Sequence, residues 1–306
     1  MVTEAPASAS PPGVRRRQEH IARWLEERGA QVDWLPLDET ICGSRRKRYV
    51  RWRQHVSRVR LKCSGYQYVV VIGLGAPHML RLAYAVAATV PVLFDACDSW
   101  LLQCLARLRS RLWPTAIIAL FGAALQFGGG RTLTCTYISK RDARWDKVLN
   151  FGRQVTVIPP ATPELKLSAP SYPLHRVVLA GDFASFHNQP GLKTLLRAAQ
   201  LLERESSIQF ELFGPSAPSI QLPGNVKYCG WASTLEEIYS EDCCVVVTNR
   251  LGSGVPNKIL EAAGSGRRYA VHRSLKRNEY LQGERYFYSD AASLARTIIE
   301  MCGVRA

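Results

Sequence analysis

The 306-residue sequence lacks an apolar core in its first thirteen residues, which are small or polar, so no secretory signal is expected there. Its most apolar window, residues 112–127, falls short of the roughly 20 residues of a membrane span and is followed by three glycines. We expect this window to form a buried or interfacial helix. The expected location is cytoplasmic, with peripheral contact to the inner membrane face left open.

Cysteine pairs with disulfide or zinc-site spacing are also missing. The nine cysteines form an odd set with no C-x-x-C pair, and no histidine stands at metal-ligand spacing from them. Several lie inside apolar runs, such as Cys244 before three valines. We therefore expect buried free thiols in a reducing compartment, and no zinc site.

Acidic residues are scarce: 25 Asp and Glu stand against 40 Lys and Arg, which gives a net charge of +15. Such a charge favours phosphates, acidic lipids or nucleic acids as partners without choosing among them. With 47% hydrophobic and 21% charged residues, the composition is that of a globular protein and excludes disorder over most of the length. At about 150 residues per domain, the length suggests two domains.

Short β-rich runs alternate with helical patterns along the chain, which predicts parallel strands joined by crossover helices. The strands are predicted at 32–35, 68–72, 92–95, 132–138, 155–158, 176–180, 208–213, 226–229, 244–248, 268–272 and 286–288. The clearest helical patterns cover 18–28, 80–88, 191–204, 235–239 and 257–263. A proline-rich segment begins at residue 159. We expect two doubly wound α/β domains, 1–158 and 159–306, that face a cleft and bind ligands at the carboxyl ends of their strands.

The most informative segment is CVVVTNRLGSGVPNKILEAAGSGRRYAV, residues 244–271. A buried strand leads into a glycine-rich loop, and Pro256 stands at the start of a helix that carries Lys258 and Glu261 on one face. Free N–H groups at a helix start suit a diphosphate, and Lys258 adds a cation. Glu261 can accept hydrogen bonds from ribose hydroxyls. Alternatively, this is an ordinary βαβ unit in which Lys258 and Glu261 form a surface salt bridge.

The stretch GSGVPNKILEAAGSG resembles the donor-site motif of nucleotide-sugar glycosyltransferases with two Rossmann-like domains, the GT-B fold. More narrowly, it is similar to the retaining group that includes bacterial cell-envelope and natural-product sugar transferases. Many members carry two glutamates eight positions apart. Glu261 matches the second, and Ser253 replaces the first, as in a subgroup with the pattern G-x-x-N-K-x-L-E-A. The resemblance implies that Glu261 holds the nucleotide ribose and that the diphosphate and sugar are held by Gly252, Ser253, Gly254, Val255, Pro256, Asn257 and Lys258.

Other segments resemble the same family in the same order along the chain. They are RRRQEHIARWLEERGAQVDWL, VPVLFDACDSW, TYISKRDA, RVVLAGDFASFHNQPGLKTLLRAAQLL, FELFGPS and NVKYCGWA. In the donor domain they add Gly181, His187, Asn188, Gly214 and Trp231 to the site, with His187 and Asn188 where many members have a basic residue. On the acceptor side they add Arg15 and Arg16. The family's first strand has only residues 1–13 available and is expected to be short, degenerate or missing.

The resemblance implies a nucleotide-sugar donor, a sugar acceptor and no separate cofactor. Retaining transfer needs no protein nucleophile, because the departing phosphate can take the acceptor's proton. Inverting transfer needs a base, for which Asp98 and Asp95 are candidates, followed by His78. An N-cap role before a helix at 99–108 suits Asp98 equally well, and a cap or loop role suits His78. No D-x-D motif follows a strand, so no bridging metal is implied.

Two other functions are compatible with parts of the sequence. Gly73-Leu74-Gly75 follows a strand, and Asp95 lies 22 residues beyond Gly73, as in a nicotinamide dehydrogenase. However, His78 occupies the third glycine position of that fingerprint, where a small residue is needed.

The basic segment from Arg45 to Lys62 carries nine Lys and Arg, no acid, and two interleaved aromatic residues. It suits single-stranded nucleic acid or an anionic membrane surface, or is a solvated helix. We expect no nucleic acid as a partner, and the membrane surface and the solvated helix stay open.

Overall fold

The computed structural model describes residues 1–3, 12–36, 56–73, 76–109, 112–128, 133–165, 167–184, 188–203, 207–239, 242–249, 256–276 and 278–304. The chain divides into two compact units, Met1–Ala161 and Thr162–Ala306. Both are α/β units built on parallel sheets, which confirms the predicted doubly wound fold class.

The first unit contains a six-stranded parallel sheet in the order β2-β1-β3-β4-β5-β6. Its strands are β1 Val2–Thr3, β2 Leu35–Pro36, β3 Val69–Ile72, β4 Val92–Cys97, β5 Leu133–Tyr137 and β6 Val155–Val157. Its helices are α1 Pro12–Glu26, α2 at 56–63, α3 Pro77–Ala87, α4 Trp100–Arg109, α5 Trp113–Gly128 and α6 Lys140–Trp145, followed by a 3-10 helix over Asp146–Val148.

The predicted first strand exists and is short, because β1 has two residues. It pairs with both β2 and β3, so its length limits the neighbouring ladder to two pairs, Val2 with Leu35 and Thr3 with Pro36. The register of this ladder places β2 at Leu35–Pro36 rather than over the predicted 32–35. Helix α1 begins at Pro12, six residues before the predicted start, because proline is tolerated in a first helical turn.

The second unit has six parallel strands in the order β12-β11-β10-β7-β8-β9. They are β7 Arg176–Ala180, β8 Gln209–Phe213, β9 Val226–Gly230, β10 Cys244–Val247, β11 Tyr269–His272 and β12 Arg285–Tyr288. The helices are α7 Gln189–Leu202, α8 Leu235–Tyr239, α9 Asn257–Gly264 and α10 Ala291–Cys302, with a 3-10 helix at Arg273–Leu275. The chain starts at the centre of the sheet and winds outward first to one side and then to the other, as in a Rossmann domain.

Each face of the second sheet is covered by helices. Helix α7 buries the apolar positions that its spacing predicted, Leu192, Leu195, Leu196, Ala199 and Leu202, and packs with α10 on one face. Helices α8 and α9 contribute Ile238, Tyr239, Ile259 and Ala262 to the opposite core. Because the helices cover the two faces, the connecting turns form the edge of the sheet at the carboxyl ends of the strands.

The cysteines of the described residues are free thiols, as the sequence predicted, and Cys42 lies outside those residues. Burial raises the pKa of Cys135 to about 12 and that of Cys243 to about 11. Cys244 and Cys302 are both buried, with their sulfurs 3.8 Å apart. We conclude that these four buried thiols pack in the hydrophobic cores of the two units.

Candidate active site

Three turns follow adjacent strands along the carboxyl edge of the second sheet. The N–H of Gly181, after β7, donates to the carbonyl of Phe213 at 2.8 Å, and the N–H of Gly214, after β8, donates to the carbonyl of Gly230 at 2.8 Å. A Cβ at Gly214 would overlap the carbonyl oxygen of Gly181. Only glycine lets these two backbones lie this close. Trp231 follows β9 with 61% of its surface exposed.

The winding direction of this sheet reverses between β7 and β10. At that point Gly191, in the first turn of α7, lies against Thr248 at the end of β10, and any side chain at 191 would overlap it. Doubly wound sheets bind ligands at the carboxyl edge where the strand order reverses. The close contact between Gly191 and Thr248 therefore brings the start of α7 to the expected ligand position.

Helix α9 starts beyond β10 and carries the two charged residues of the predicted site. Pro256 is the N-cap, one position before the predicted first turn, and Asn257 is exposed. The Lys258 ammonium lies 2.8 Å from Glu261 Oε2, and the Tyr239 hydroxyl donates to the same oxygen at 3.2 Å. The Glu261 side chain is 1% exposed and that of Lys258 28%. The Lys258–Glu261 salt bridge of the alternative interpretation is present, but its carboxylate is buried and does not lie on the surface.

The structure places the other predicted donor residues as follows. Asn188 is the N-cap of α7, and its amide donates to the carbonyl of Asp182 at 2.8 Å, close to Gly181. His187, Gly252, Ser253, Gly254 and Val255 lie outside the described residues.

On the first sheet, Asp95 is fully buried in an ion pair. Its carboxylate accepts from Arg17 Nη2 at 2.7 Å, from Arg17 Nε at 3.1 Å and from the Thr136 hydroxyl at 2.7 Å. Burial alone lowers the pKa of Arg17, but the charge and hydrogen bonds of Asp95 outweigh it, and the pKa of Arg17 is raised. Arg17 also donates to the carbonyl of Ile158, so the pair ties α1 to β4 and to the chain after β6.

Asp98 follows β4 but does not cap α4. The cap is Ser99, whose hydroxyl accepts from the N–H of Leu102 at 3.0 Å. The buried carboxylate of Asp146 accepts from the N–H groups of Trp100 and Leu101 and from the Ser99 hydroxyl. The N-cap interpretation of Asp98 is therefore wrong, because Ser99 holds the N-cap position. Asp98 is half-buried, after Cys97 with φ +62°, a backbone conformation that costs a non-glycine residue about 1–2 kcal/mol.

The remaining acceptor-side predictions fall on exposed or half-buried positions. Arg15 is exposed and pairs with Glu19 on the same helix at 2.8 Å. Arg16 is half-buried, and His78 is exposed at the second position of α3. Gly73 ends β3 beneath the ring of Phe94, where a Cβ would overlap the ring. Close packing therefore explains this glycine without a dinucleotide.

Three residues that make the contacts described above were not predicted from the sequence: Arg17, Tyr239 and Asp146. Arg17 could have been found, since Ile21 and Leu25 continue its helical face toward the core. No spacing signal relates Tyr239 to Glu261, or Asp146 to Ser99, because these contacts join separate elements.

Two further observations concern metals and membranes. Within the residues that the structure describes, no group of three or more His, Cys, Asp or Glu side chains is arranged to hold a metal ion. No helix in this part of the chain is long and apolar enough to cross a membrane.

Comparisons with known proteins agree with this geometry. Residues 175–303 match the family model of glycosyl transferases group 1. No match was found among the curated proteins. A glycosyltransferase from Rickettsia africae, 10% identical, aligns over 99% of this chain and 88% of its own with a TM-score of 0.64. HepE from Anabaena in complex with UDP, 14% identical, aligns over 98% and 88% with a TM-score of 0.65.

The trehalose-6-phosphate synthase OtsA, 8% identical, aligns over 88% of this chain and 72% of its own with a TM-score of 0.53. At these identities the solved structures show the fold, and the family match identifies the second unit. The resemblance to glycosyltransferases is thereby confirmed, whereas membership of the narrower retaining group stays a prediction. We conclude that residues 175–303 form a domain of the group 1 glycosyl transferase family and that the whole chain shares the fold of the solved glycosyltransferases.

Proposed function

We propose that this protein transfers a sugar from a nucleoside-diphosphate sugar to an acceptor hydroxyl, with the donor at the carboxyl edge of the second sheet. The observation that carries the proposal is the buried Glu261, paired with Lys258 on the first turns of α9. A buried ion pair contributes little to stability compared with apolar packing, which favours a functional reason for the position of Glu261. HepE, a neighbour in fold, has been solved with UDP-glucose.

The donor's parts fit different elements of this edge. The N–H groups at the start of α9 and the Lys258 ammonium would stabilise the negative charge that builds on the diphosphate as the bond to the sugar breaks. The glycine turns at Gly181 and Gly214 admit close backbone approach, and exposed Trp231 would support the base. The loop 252–255 would complete the diphosphate and sugar contacts.

Glu261 would accept hydrogen bonds from the ribose hydroxyls. In the structure its Oε2 already accepts from Lys258 and Tyr239. Donor binding would therefore move the partly exposed Lys258 ammonium from Glu261 toward the diphosphate, while Tyr239 keeps the carboxylate in place. A mobile cation between two anionic partners suits a leaving group that gains charge during the reaction.

The acceptor would bind to the first unit near the end of β4. We propose Asp98, rather than Asp95, as the residue that contacts the acceptor, because both carboxylate oxygens of Asp95 are engaged by Arg17 and Thr136. Arg15, Arg16 and His78 remain proposed acceptor contacts. In a retaining reaction the departing phosphate takes the acceptor's proton and Asp98 orients the acceptor. We propose this course, without a bridging metal.

Thermal unfolding with UDP-, GDP- and dTDP-sugars tests the proposal, with NAD as the control. At a ligand concentration of 100 times Kd, stabilisation of the second unit should reach about 2.7 kcal/mol, enough to shift its midpoint measurably. We expect at least one nucleotide sugar to raise the midpoint of thermal unfolding. NAD should leave the midpoint unchanged. Stabilisation by NAD alone would support a dehydrogenase and contradict the proposal.

A further inference from the structure

Helix α5 has small residues and one glutamine on its inner face and large apolar side chains on its outer face. Gln126 is fully buried and donates to Tyr137 Oη and Asn150 Oδ1, both at 2.7 Å. The outer side chains are between 45% and 64% exposed: Trp113, Ile117, Ile118, Leu120, Phe121 and Phe127. A surface helix of a globular protein normally shows the opposite distribution.

The inner packing of α5 prevents it from rotating to bury these side chains. Its buried positions are Ala116, Ala119, Gly122, Ala123 and Gln126. A Cβ at Gly122 would overlap the ring of Trp100, which is itself fully buried. The small residues thus fit α4 closely, and the exposed apolar face is a consequence of the native packing.

The exposed residues form one continuous surface. Positions 113, 117, 120, 121 and 127 lie on one half of the helix, with Ala124 and Gly128 between them. At 1.5 Å per residue the 16-residue helix is about 24 Å long. An apolar surface of this length is unusual on a monomer and indicates an interaction site.

The charge near this surface indicates its partner. No Asp or Glu occurs between Ser99 and Arg141, a stretch of 43 residues that contains six Arg and Lys. Arg81 of α3 lies over the ring of Phe121, 5.1 Å from its centroid, and Arg109 is exposed at the end of α4. Apolar side chains bordered by arginine, with tryptophan at one end, match a helix that lies in the headgroup region of an anionic membrane.

We propose that α5 docks the first unit on an anionic lipid surface by inserting the face formed by Trp113, Ile117, Leu120, Phe121 and Phe127. The basic helix α2 is less suited to insertion, because Val59 and Cys63 face the core and leave Leu61 as its one strongly exposed apolar residue within 56–63. The proposal goes beyond sugar transfer and is independent of the donor site.

Vesicle flotation tests the docking surface. The protein is mixed with vesicles of phosphatidylcholine, alone or with phosphatidylglycerol, and floated through a density gradient so that aggregates stay behind. We expect flotation with the mixed vesicles alone. Leu120→Gln should lower the bound-to-free ratio by about tenfold or more, since a leucine side chain then stays out of the apolar region. Leu201→Gln on α7 is the matched control, as Leu201 is 52% exposed and Leu120 56%.

The two leucines are exposed, so both variants should unfold at the wild-type temperature. The proposal is overturned by equal flotation with both vesicle types, by no flotation with either, or by a Leu120→Gln variant that floats like the wild type. A dimer seen by light scattering that Leu120→Gln dissociates, without vesicle binding, would instead assign this face to a second copy of the chain.

Discussion

Asp95 and Asp98 lie three positions apart in contrasting environments. Asp95 is fully buried against Arg17, whereas Asp98 is half-buried beyond the strand end. We predict that Asp95→Asn lowers the free energy of unfolding of the first unit by about 3–5 kcal/mol, because the buried Arg17 loses its counter-charge. Urea unfolding measures the loss. A change within about 0.5 kcal/mol, as expected for a surface site, would contradict the assignment of the ion pair.

Asp98→Asn is the companion experiment and distinguishes two reaction courses. For the proposed retaining reaction it should raise the acceptor KM and leave kcat within about tenfold, because the variant loses an acceptor contact but no base. A fall in kcat of about 10² to 10⁴ without a change in KM would identify Asp98 as a general base and contradict the retaining course.

Lys258 provides a third prediction at the residue scale. Lys258→Ala should lower kcat by about 10²-fold or more and change the donor KM less, since the cation acts on charge that develops in the transition state. Steady-state kinetics measures both constants. Lys227→Ala is the matched control, since Lys227 is exposed on β9. An equal fall in kcat in the two variants would contradict a role for Lys258 in the mechanism.

At the scale of the element, the start of α4 depends on a carboxylate from another part of the unit. Burial raises the pKa of Asp146 above 3.8, and the hydrogen bonds from Ser99, Trp100 and Leu101 offset part of that shift. A carboxyl whose pKa is raised on folding adds stability below its unfolded pKa and loses it as the pH rises through the folded pKa. The difference in unfolding free energy between wild type and Asp146→Asn should therefore fall as the pH rises above 3.8.

Asp290, the N-cap of α10, supplies a control of opposite sign. The backbone hydrogen bond from Ser293 lowers the pKa of Asp290 below 3.8, so its stabilisation is lost as the pH falls. The difference between wild type and Asp290→Asn should rise with pH up to about 3.8, in the window just below that of Asp146. Urea unfolding of both variants at pH values on either side of 3.8 measures the two slopes. Slopes of the same sign would contradict the assignment of a raised pKa to Asp146 in the folded protein.

Helices and strands whose ends are set by the local sequence could be predicted. Those whose ends depend on pairing with another element could not. β7 and α8 lie at their predicted positions, 176–180 and 235–239. β2 lies at Leu35–Pro36 instead of the predicted 32–35 because its pairing register with β1 sets its position. Similarly, the motif around Glu261 identified the charged pair, whereas the Tyr239 contact and the Asp146 cap depend on how distant segments pack.

At the scale of the whole molecule, the two units share a parallel α/β architecture but wind differently. The first sheet reverses next to a two-residue strand, and the second reverses at its centre between β7 and β10. The group 1 family match falls on the second. The assignment that we propose, with the donor on the second unit and the acceptor on the first, rests on this match and on the position of Glu261 in the second unit.

The most direct test of donor binding at Glu261 is the affinity of the stabilising nucleotide sugar for a Glu261→Gln variant, measured by isothermal titration calorimetry. Glutamine preserves the shape of the side chain but removes the charge that accepts ribose hydroxyls, a loss of about 1.5–3 kcal/mol or roughly 10- to 150-fold in Kd. Glu284→Gln is the control, because Glu284 pairs with Arg268 at the amino edge of the same sheet. We expect weaker binding in Glu261→Gln alone, and unchanged affinity in that variant would contradict the account.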